Sequence, residues 1–154
     1  MWVMRCMGKR SRLGDSAKYV SKGRECAMGI EHVALWVLDL EQARTWWETY
    51  FGAVAGDEYV NAAGFHSYFL TFPDGDARLE LMYDGAQLPN DADRPHDGYG
   101  HVAMSVGSKD AVDELTKRLV ADGYRCISGP RTTGDGYYES CVLDAEGNRV
   151  EVTV

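Results

Sequence analysis

The sequence predicts an α+β fold made of two β-α-β-β-β modules that arose by internal duplication. The chain of 154 residues has the usual length of one domain, and its predicted elements run twice in the same order. The letters repeat as well: IEHVALWV at 30–37 matches YGHVAMSV at 99–106, and DARLEL at 76–81 matches GNRVEV at 147–152. The two matches are offset by 69 and 71 residues, so they belong to one repeat.

The first module is predicted to span residues 29–84. It opens with an alternating apolar strand at 30–38. Asp39 is the predicted N-cap of a helix that ends at Phe51, before Gly52. Three further strands are predicted at about 53–60, 66–72 and 77–83, with a Pro-Asp-Gly turn between the last two.

The second module is predicted to span residues 99–154, after a linker at 85–98 that is rich in Asp, Gly and Pro. A strand at 99–106 precedes a helix that is capped by Ser108 and ends at Gly123. The remaining strands are predicted at about 124–128, 137–143 and 148–154, and the segment between the first two, GPRTTGDG at 129–136, is predicted to be a loop.

Composition and charge exclude several classes of protein. The formal net charge is −8, which argues against a nucleic-acid partner because phosphates need a basic surface. No run of 18 apolar residues is present, so no membrane span is predicted. Residues 1–28 carry seven Lys or Arg against two Asp or Glu. We expect this basic segment to lie outside the fold, either as a genuine extension or as residues upstream of a true start at Met28.

The cysteines indicate a reducing compartment. None of the four forms a CxxC pair or has the spacing of a metal site; they are Cys6, Cys26, Cys126 and Cys141. Reduced thiols and a cytoplasmic location are therefore predicted.

Each module carries one histidine on its first strand and one glutamate on its last. They are His32 and Glu80 in the first module, and His101 and Glu151 in the second. Because side chains alternate along a strand, each of the four lies opposite the apolar row suited to packing against a helix. If the sheet curls, all four converge on its concave face. Two imidazoles and two carboxylates are typical ligands of a divalent first-row metal, and on a six-coordinate ion they leave two positions free.

A single histidine on a strand is more often a structural residue than a metal ligand. The recurrence of an equivalent His–Glu pair in both modules favours the metal site. His66 and His96 have no partner in the repeat. We expect His66 to line the cavity or the surface, and His96 to belong to the linker.

With these residues in place, the pattern resembles the vicinal oxygen chelate superfamily, and within it glyoxalase I (lactoylglutathione lyase) and short bacterial glyoxalase-like proteins. The motifs that carry the resemblance are HVALWV, LEL, GHVAMSV and VEV, across about residues 29–154. The resemblance implies a curved mixed sheet, a half-barrel around a metal-centred cleft. It also implies a lyase that isomerises the hemithioacetal of a 2-oxoaldehyde and a thiol through a metal-bound enediolate, as in methylglyoxal detoxification.

The same resemblance implies cofactors and roles. The ligand set is similar to that of bacterial glyoxalase I, which favours nickel or cobalt, with zinc or iron as alternatives. Glu151 is implied as the base that moves the proton, with Glu80 as its symmetric counterpart. The implied co-substrate is glutathione or another thiol. The implied assembly is a homodimer in which the modules pair either within one chain or across two.

Two positions depart from the glutathione-using members. Trp36 stands where those members have Arg, and Asp84 where they have Asn. Both changes remove groups that hold glutathione carboxylates there, so glutathione is held differently here or another thiol is used. Candidate substrate-binding residues are Trp36, Phe69, Arg131 and Tyr138. Arg131 has the chemistry to bind a carboxylate or phosphate, and the alternative for its segment is a mobile surface loop.

Other functions compete on the same scaffold. They are an epimerase, a thiol transferase, a dioxygenase, and a non-catalytic protein that sequesters a drug or other small molecule. A complete four-ligand set argues against sequestration, which needs no metal. Oxygen- and iron-dependent activity would identify a dioxygenase, and proton exchange beside a thioester would identify an epimerase.

Overall fold

The computed structural model describes residues 29–93, 98–134 and 136–154. The predicted basic extension, residues 1–28, and the predicted linker residue His96 lie outside the described residues. In chain order the described elements are β1 (His32–Trp36), α1 (Leu40–Phe51), β2 (Val54–Ala55), β3 (Tyr59–Val60), β4 (His66–Thr71), β5 (Arg78–Tyr83), β6 (Val102–Ser105), α2 (Lys109–Ala121), β7 (Cys126–Thr132), β8 (Tyr138–Leu143) and β9 (Arg149–Thr153).

The first module is one mixed sheet with α1 packed on one face. The strand order is β1-β5-β4-β2, and β3 also pairs with β4. Only β1 and β5 run parallel. The helix begins as predicted because the Asp39 carboxylate accepts a hydrogen bond from the Gln42 N–H at 2.9 Å. It ends at Gly52, whose φ of 62° is the left-handed conformation that glycine adopts without strain.

The second module repeats this architecture. Its strand order is β6-β9-β8-β7, with β6 and β9 parallel. The Ser108 hydroxyl caps α2 by accepting a hydrogen bond from the Ala111 N–H at 3.1 Å. Beneath the helix, the buried hydroxyls of Thr116 and Ser140 hydrogen-bond to each other at 2.6 Å, so both interior polar groups are satisfied.

Alternation along the last strand of each module separates the core from the open face. Leu79 and Leu81 on β5, like Val150 and Val152 on β9, are at most 3% exposed and belong to the helix-side core. The glutamates between them therefore point to the other face. Two helices on two curved, unclosed mixed sheets confirm the predicted α+β fold.

β1 and β6 are end strands that do not pair with each other, and the contacts between the modules include hydrogen bonds from loops and helix ends. The Tyr50 hydroxyl on α1 donates to the Asp122 carboxylate, just after α2, at 2.7 Å. The Glu146 carboxylate, in the β8–β9 turn, accepts hydrogen bonds from the N–H groups of Leu38 and Asp39 at 2.7–2.8 Å. The second module thus holds the chain at the start of α1.

The predicted single strand at 53–60 is wrong, because it divides into β2 and β3. Ala55 pairs with Leu70, whereas Tyr59 pairs with Ser67. The register against β4 therefore shifts by one residue between the two short strands, which is the effect of a bulge.

The predicted loop at 129–136 is also partly wrong, because β7 continues to Thr132. The pairing with β8 shifts register twice, between Cys126 and Ser128 and again between Ser128 and Arg131, and then resumes at Arg131 opposite Glu139. The strand accommodates Pro130 because β7 is the end strand of its sheet.

Within the described ranges, neither helix has the length and apolar character needed to cross a membrane.

Candidate functional site

The first His–Glu pair lies across the parallel strands β1 and β5. Nε2 of His32 is 3.8 Å from Oε2 of Glu80, and the two side chains are 40% and 15% exposed. On the other side of the ring, Nδ1 lies 2.6 Å from the carboxylate of Glu31. The hydrogen bond with His32, and then the nearby Arg78, hold the pKa of the Glu31 carboxyl below its usual value. The Glu31 carboxylate thus contacts Nδ1, while Nε2 faces Glu80. A carboxylate on the far ring nitrogen commonly orients histidines that bind metals.

The second pair occupies the equivalent place in the other module. His101 directly precedes β6, and its Nε2 is 3.3 Å from Oε2 of Glu151 on β9. The two side chains are 47% and 20% exposed. The structure therefore brings each predicted histidine to its predicted glutamate, on an open face of its own module.

The structure does not bring the two pairs together within one chain. In the part of the chain that is described, no three His, Cys, Asp or Glu side chains are grouped closely enough to hold a metal ion. Each pair supplies one imidazole nitrogen and one carboxylate oxygen, the donor types that suit first-row divalent metals. Each is therefore half of the predicted ligand set, and the binding of one metal by all four residues stays a prediction.

Phe69 lies next to the His32–Glu80 pair. It lies opposite Glu80 in the β4–β5 ladder, and its ring contacts the His32 ring edge-on, with centroids 5.3 Å apart. The Arg78 guanidinium stacks over the same ring at 4.1 Å. The structure thus places this candidate substrate-binding residue beside the site.

Trp36 and Asp84, the two departures from the glutathione-using members, line one small pocket of about 380 Å³. The Trp36 side chain is exposed and on the same face of β1 as His32. Asp84 is engaged locally, since its carboxylate accepts from Gln87 Nε2 at 2.6 Å and from the Ala86 N–H at 2.9 Å. The pocket is therefore bounded by an indole and a turn carboxylate, where the resemblance implied Arg and Asn.

Arg131 and Tyr138 lie on opposite faces of the second sheet. Arg131 is opposite Glu139 in the β7–β8 ladder, so it lies on the face that carries Glu151. The Arg131 side chain is 53% exposed. Tyr138 packs against the helix-side core and donates its hydroxyl hydrogen to Asp113 on α2 at 2.7 Å. That hydrogen bond raises the pKa of Tyr138. The geometry thus removes Tyr138 from the open face and keeps Arg131 on it.

Sequence reasoning did not single out Cys141, which lies directly opposite Glu151 in the β8–β9 ladder and so shares its face. Burial raises the pKa of the Cys141 thiol, which makes it a weaker nucleophile. Counting alternate residues from the buried Val142 could have identified this position.

A cleft of about 1610 Å³ lies between the modules. Its walls include the edges of β1 and β6, with partly buried apolar side chains from both strands: Val33, Leu35, Val102, Met104 and Val106. His101, Arg78 and Arg149 also line it.

Two duplicated modules with a His–Glu pair on each open face define an open, two-module α+β protein with a duplicated site. The chain belongs to the Glyoxalase/Bleomycin resistance protein/Dioxygenase superfamily, whose family model matches residues 29–152.

Individual relatives agree with this assignment. The chain is 29% identical over 132 residues to the uncharacterised Bacillus subtilis (strain 168) protein YqjT, covering 80% of this chain and 96% of that protein. It is similar to a possible glyoxalase from Bacillus cereus, at 28% identity and a TM-score of 0.61, covering 83% of this chain and 100% of that one. The trypanothione-dependent glyoxalase I of Leishmania major shares the fold, with a TM-score of 0.66 at 18% identity, over 82% and 86% of the two chains.

Proposed function

We propose that this protein is a metal-dependent lyase of the glyoxalase I type, which isomerises the hemithioacetal formed by a 2-oxoaldehyde such as methylglyoxal and a thiol. The observation that carries the proposal is the pair of equivalent His–Glu contacts, 3.8 Å in the first module and 3.3 Å in the second. Membership of the superfamily and similarity to glyoxalase folds support it. The free thiols of Cys126 and Cys141 are in keeping with a cytoplasmic enzyme.

His32, Glu80, His101 and Glu151 would hold the metal, and by analogy we favour nickel or cobalt over zinc or iron. When bound, the metal supplies a Lewis acid that stabilises negative charge on two neighbouring substrate oxygens. The Glu151 carboxylate removes the proton from the carbon that bears sulfur and returns it to the adjacent carbon. This transfer is an internal redox isomerisation, so it needs no external oxidant or reductant. Glu80 holds the symmetric position in the other module.

We further propose that the complete site forms in a homodimer. β1 and β6 each leave one edge unpaired within the described chain, and such edges are normally covered in stable proteins. If β1 of one copy lies beside β6 of another, their apolar side chains are buried and a His32–Glu80 pair meets a His101–Glu151 pair. Small-molecule substrates would then enter from the open face.

The activity is tested by metal reconstitution. The protein is purified without chelator and assayed with methylglyoxal and glutathione after addition of nickel, cobalt, zinc or iron. Metal-dependent isomerisation that disappears in His101→Ala supports the proposal. Bound metal without isomerisation would move the assignment to another thiol or reaction of the superfamily, and a lack of metal binding would favour a sequestering protein.

The dimeric site is tested by mixing two inactive variants, His32→Ala and His101→Ala. If each site combines modules from two chains, a mixed dimer holds one intact site and one doubly altered site. A random equal mixture then recovers about a quarter of the wild-type sites. If both modules of a site belong to one chain, mixing restores nothing.

The base is tested separately with Glu151→Gln. Retained metal with turnover lowered by about 100-fold or more supports Glu151 as the base. Unchanged turnover contradicts it.

A further inference from the structure

Two arginines occupy equivalent positions in the two modules. Arg78 opens β5 and Arg149 opens β9, and each precedes a candidate metal ligand, Glu80 or Glu151, by two residues on the same strand. Residues two apart on a strand share a face, about 7 Å from each other. Both arginines line the cleft between the modules.

The charges of these arginines are balanced differently. Arg78 donates to Glu31 at 2.8 Å through Nε and forms an ion pair with it at 2.5 Å, while its plane covers Phe69. Arg149 is partly buried, and it donates to the backbone carbonyl of Ala92 at 3.1 Å. Among the described residues, no carboxylate oxygen lies within 4.0 Å of a guanidinium nitrogen of Arg149. Asp93, whose carboxylate pairs with Arg125 at 2.9 Å, interacts with the Arg149 charge only at longer range.

Arg149 is thus a partly buried guanidinium that no described carboxylate contacts, in a chain of net charge −8. It has five N–H groups in a planar fork that matches a carboxylate in bidentate fashion. Asp74, Asp76 and Asp91 also line the cleft. None of them forms an ion pair with either arginine. Arg78 and Arg149 are the two arginines among the described residues that line the cleft, and Arg149 is the one that no described carboxylate contacts directly.

We propose that Arg149 binds a carboxylate of the substrate and so sets a preference for thiol adducts that carry one. This inference rests on the proposed function and deepens it. It also gives the site a cation at residue 149, where the resemblance implied one at residue 36 and this chain has Trp. Arg78 has its charge balanced by Glu31 and is the weaker contributor.

The test is a binding measurement on the full-length chain, by calorimetry, with and without nickel. The probes are S-methylglutathione and its diethyl ester, which differ in their carboxylates and cannot react as thiols. Wild-type protein is expected to bind the acid more tightly than the ester. Arg149→Gln should weaken acid binding by about 10- to 100-fold, as expected for loss of charged hydrogen bonds, and leave ester binding unchanged.

Three further variants sharpen the comparison. Arg149→Lys keeps the charge without the fork and should retain part of the preference. Arg78→Gln should have a smaller effect than Arg149→Gln. Arg44→Gln removes an arginine of α1 that pairs with Glu48 away from the cleft, and should change neither affinity.

The inference is overturned if wild-type protein does not bind the acid, if it binds acid and ester equally, or if Arg149→Gln weakens both alike. Its failure is distinguishable from that of the proposed function. An acid preference that depends on Arg149, without isomerase activity, would reject the reaction and keep the anion site. Isomerase activity in wild-type protein, together with an acid preference that Arg149→Gln leaves unchanged, would keep the reaction and reject the anion site.

Discussion

Replacement of Glu146 with alanine is expected to lower the free energy of unfolding by about 2–3 kcal/mol. The Glu146 carboxylate joins the modules by accepting from the N–H groups of Leu38 and Asp39 at 2.7–2.8 Å. Each of the two N–H groups contributes about 1 kcal/mol, below the range of about 1.5–3 kcal/mol typical of hydrogen bonds to charged groups, because these groups are partly hydrated. The negative charge also lies at the N-terminal end of α1, where the helix dipole favours it by about 0.3–1 kcal/mol.

The assay is urea unfolding followed by circular dichroism, at matched protein concentration because dimer formation would contribute to stability. Glu146→Gln keeps one acceptor oxygen but loses the charge, so it should cost about half as much as alanine. Glu114→Ala, at an exposed position on α2, is the control and should stay within about 0.5 kcal/mol of wild type. If Glu146→Ala is no more destabilising than Glu114→Ala, the carboxylate does not hold the modules together.

Three further predictions concern stability. Gly129→Ala should lower the free energy of unfolding in urea by about 2–4 kcal/mol, because φ is +80° and a Cβ would overlap the Glu139 carbonyl oxygen. A Cβ at Gly134 meets no atom within 4 Å, so Gly134→Ala is the control and should be near neutral. Equal effects of the two variants would contradict this account. Leu70→Ala, at a position 0% exposed, should cost about 2–5 kcal/mol, and a thermal shift as small as that of a surface variant would disprove its core role. Burial and the hydrogen bond to Asp122 raise the pKa of Tyr50 from 10.0 to about 12. Because the protonated phenol is favoured in the folded state, any advantage of wild type over Tyr50→Phe should be present below pH 10 and fall as pH rises toward 12; a pH-independent difference would refute the linkage.

Local patterns predicted the elements that carry the site. The N-caps Asp39 and Ser108 were recognisable because a short polar side chain directly precedes an apolar helical period. The period of two along each strand placed His32 and Glu80 on one face, and the structure confirms that these side chains approach each other. The internal repeat then extended the same inference to the second module.

Other features depend on contacts distant in sequence and left no local signal. Glu146 lies between two predicted strands, and no residue near it in the sequence shows that its carboxylate contacts Leu38, 108 residues earlier in the chain. Whether β1 pairs with β6 depends on how the modules pack together, and the amino-acid sequence of neither strand determines it. Tyr138 is a different case. It was predicted as a substrate-binding residue, but in the structure it alternates with the buried Ser140 and Val142 and so lies on the helix side.

The central claim is that the two His–Glu pairs form one metal site, and nickel titration of metal-free protein tests it most directly. We expect one nickel per chain for wild type, and His32→Ala and His101→Ala should each weaken binding by at least about 100-fold, since even indirect supporting residues contribute 10- to 100-fold. His66→Ala, which removes an imidazole paired with Glu58, should bind nickel as wild type does. Wild-type affinity in either His32→Ala or His101→Ala, or two independent nickel ions per chain, would contradict the account.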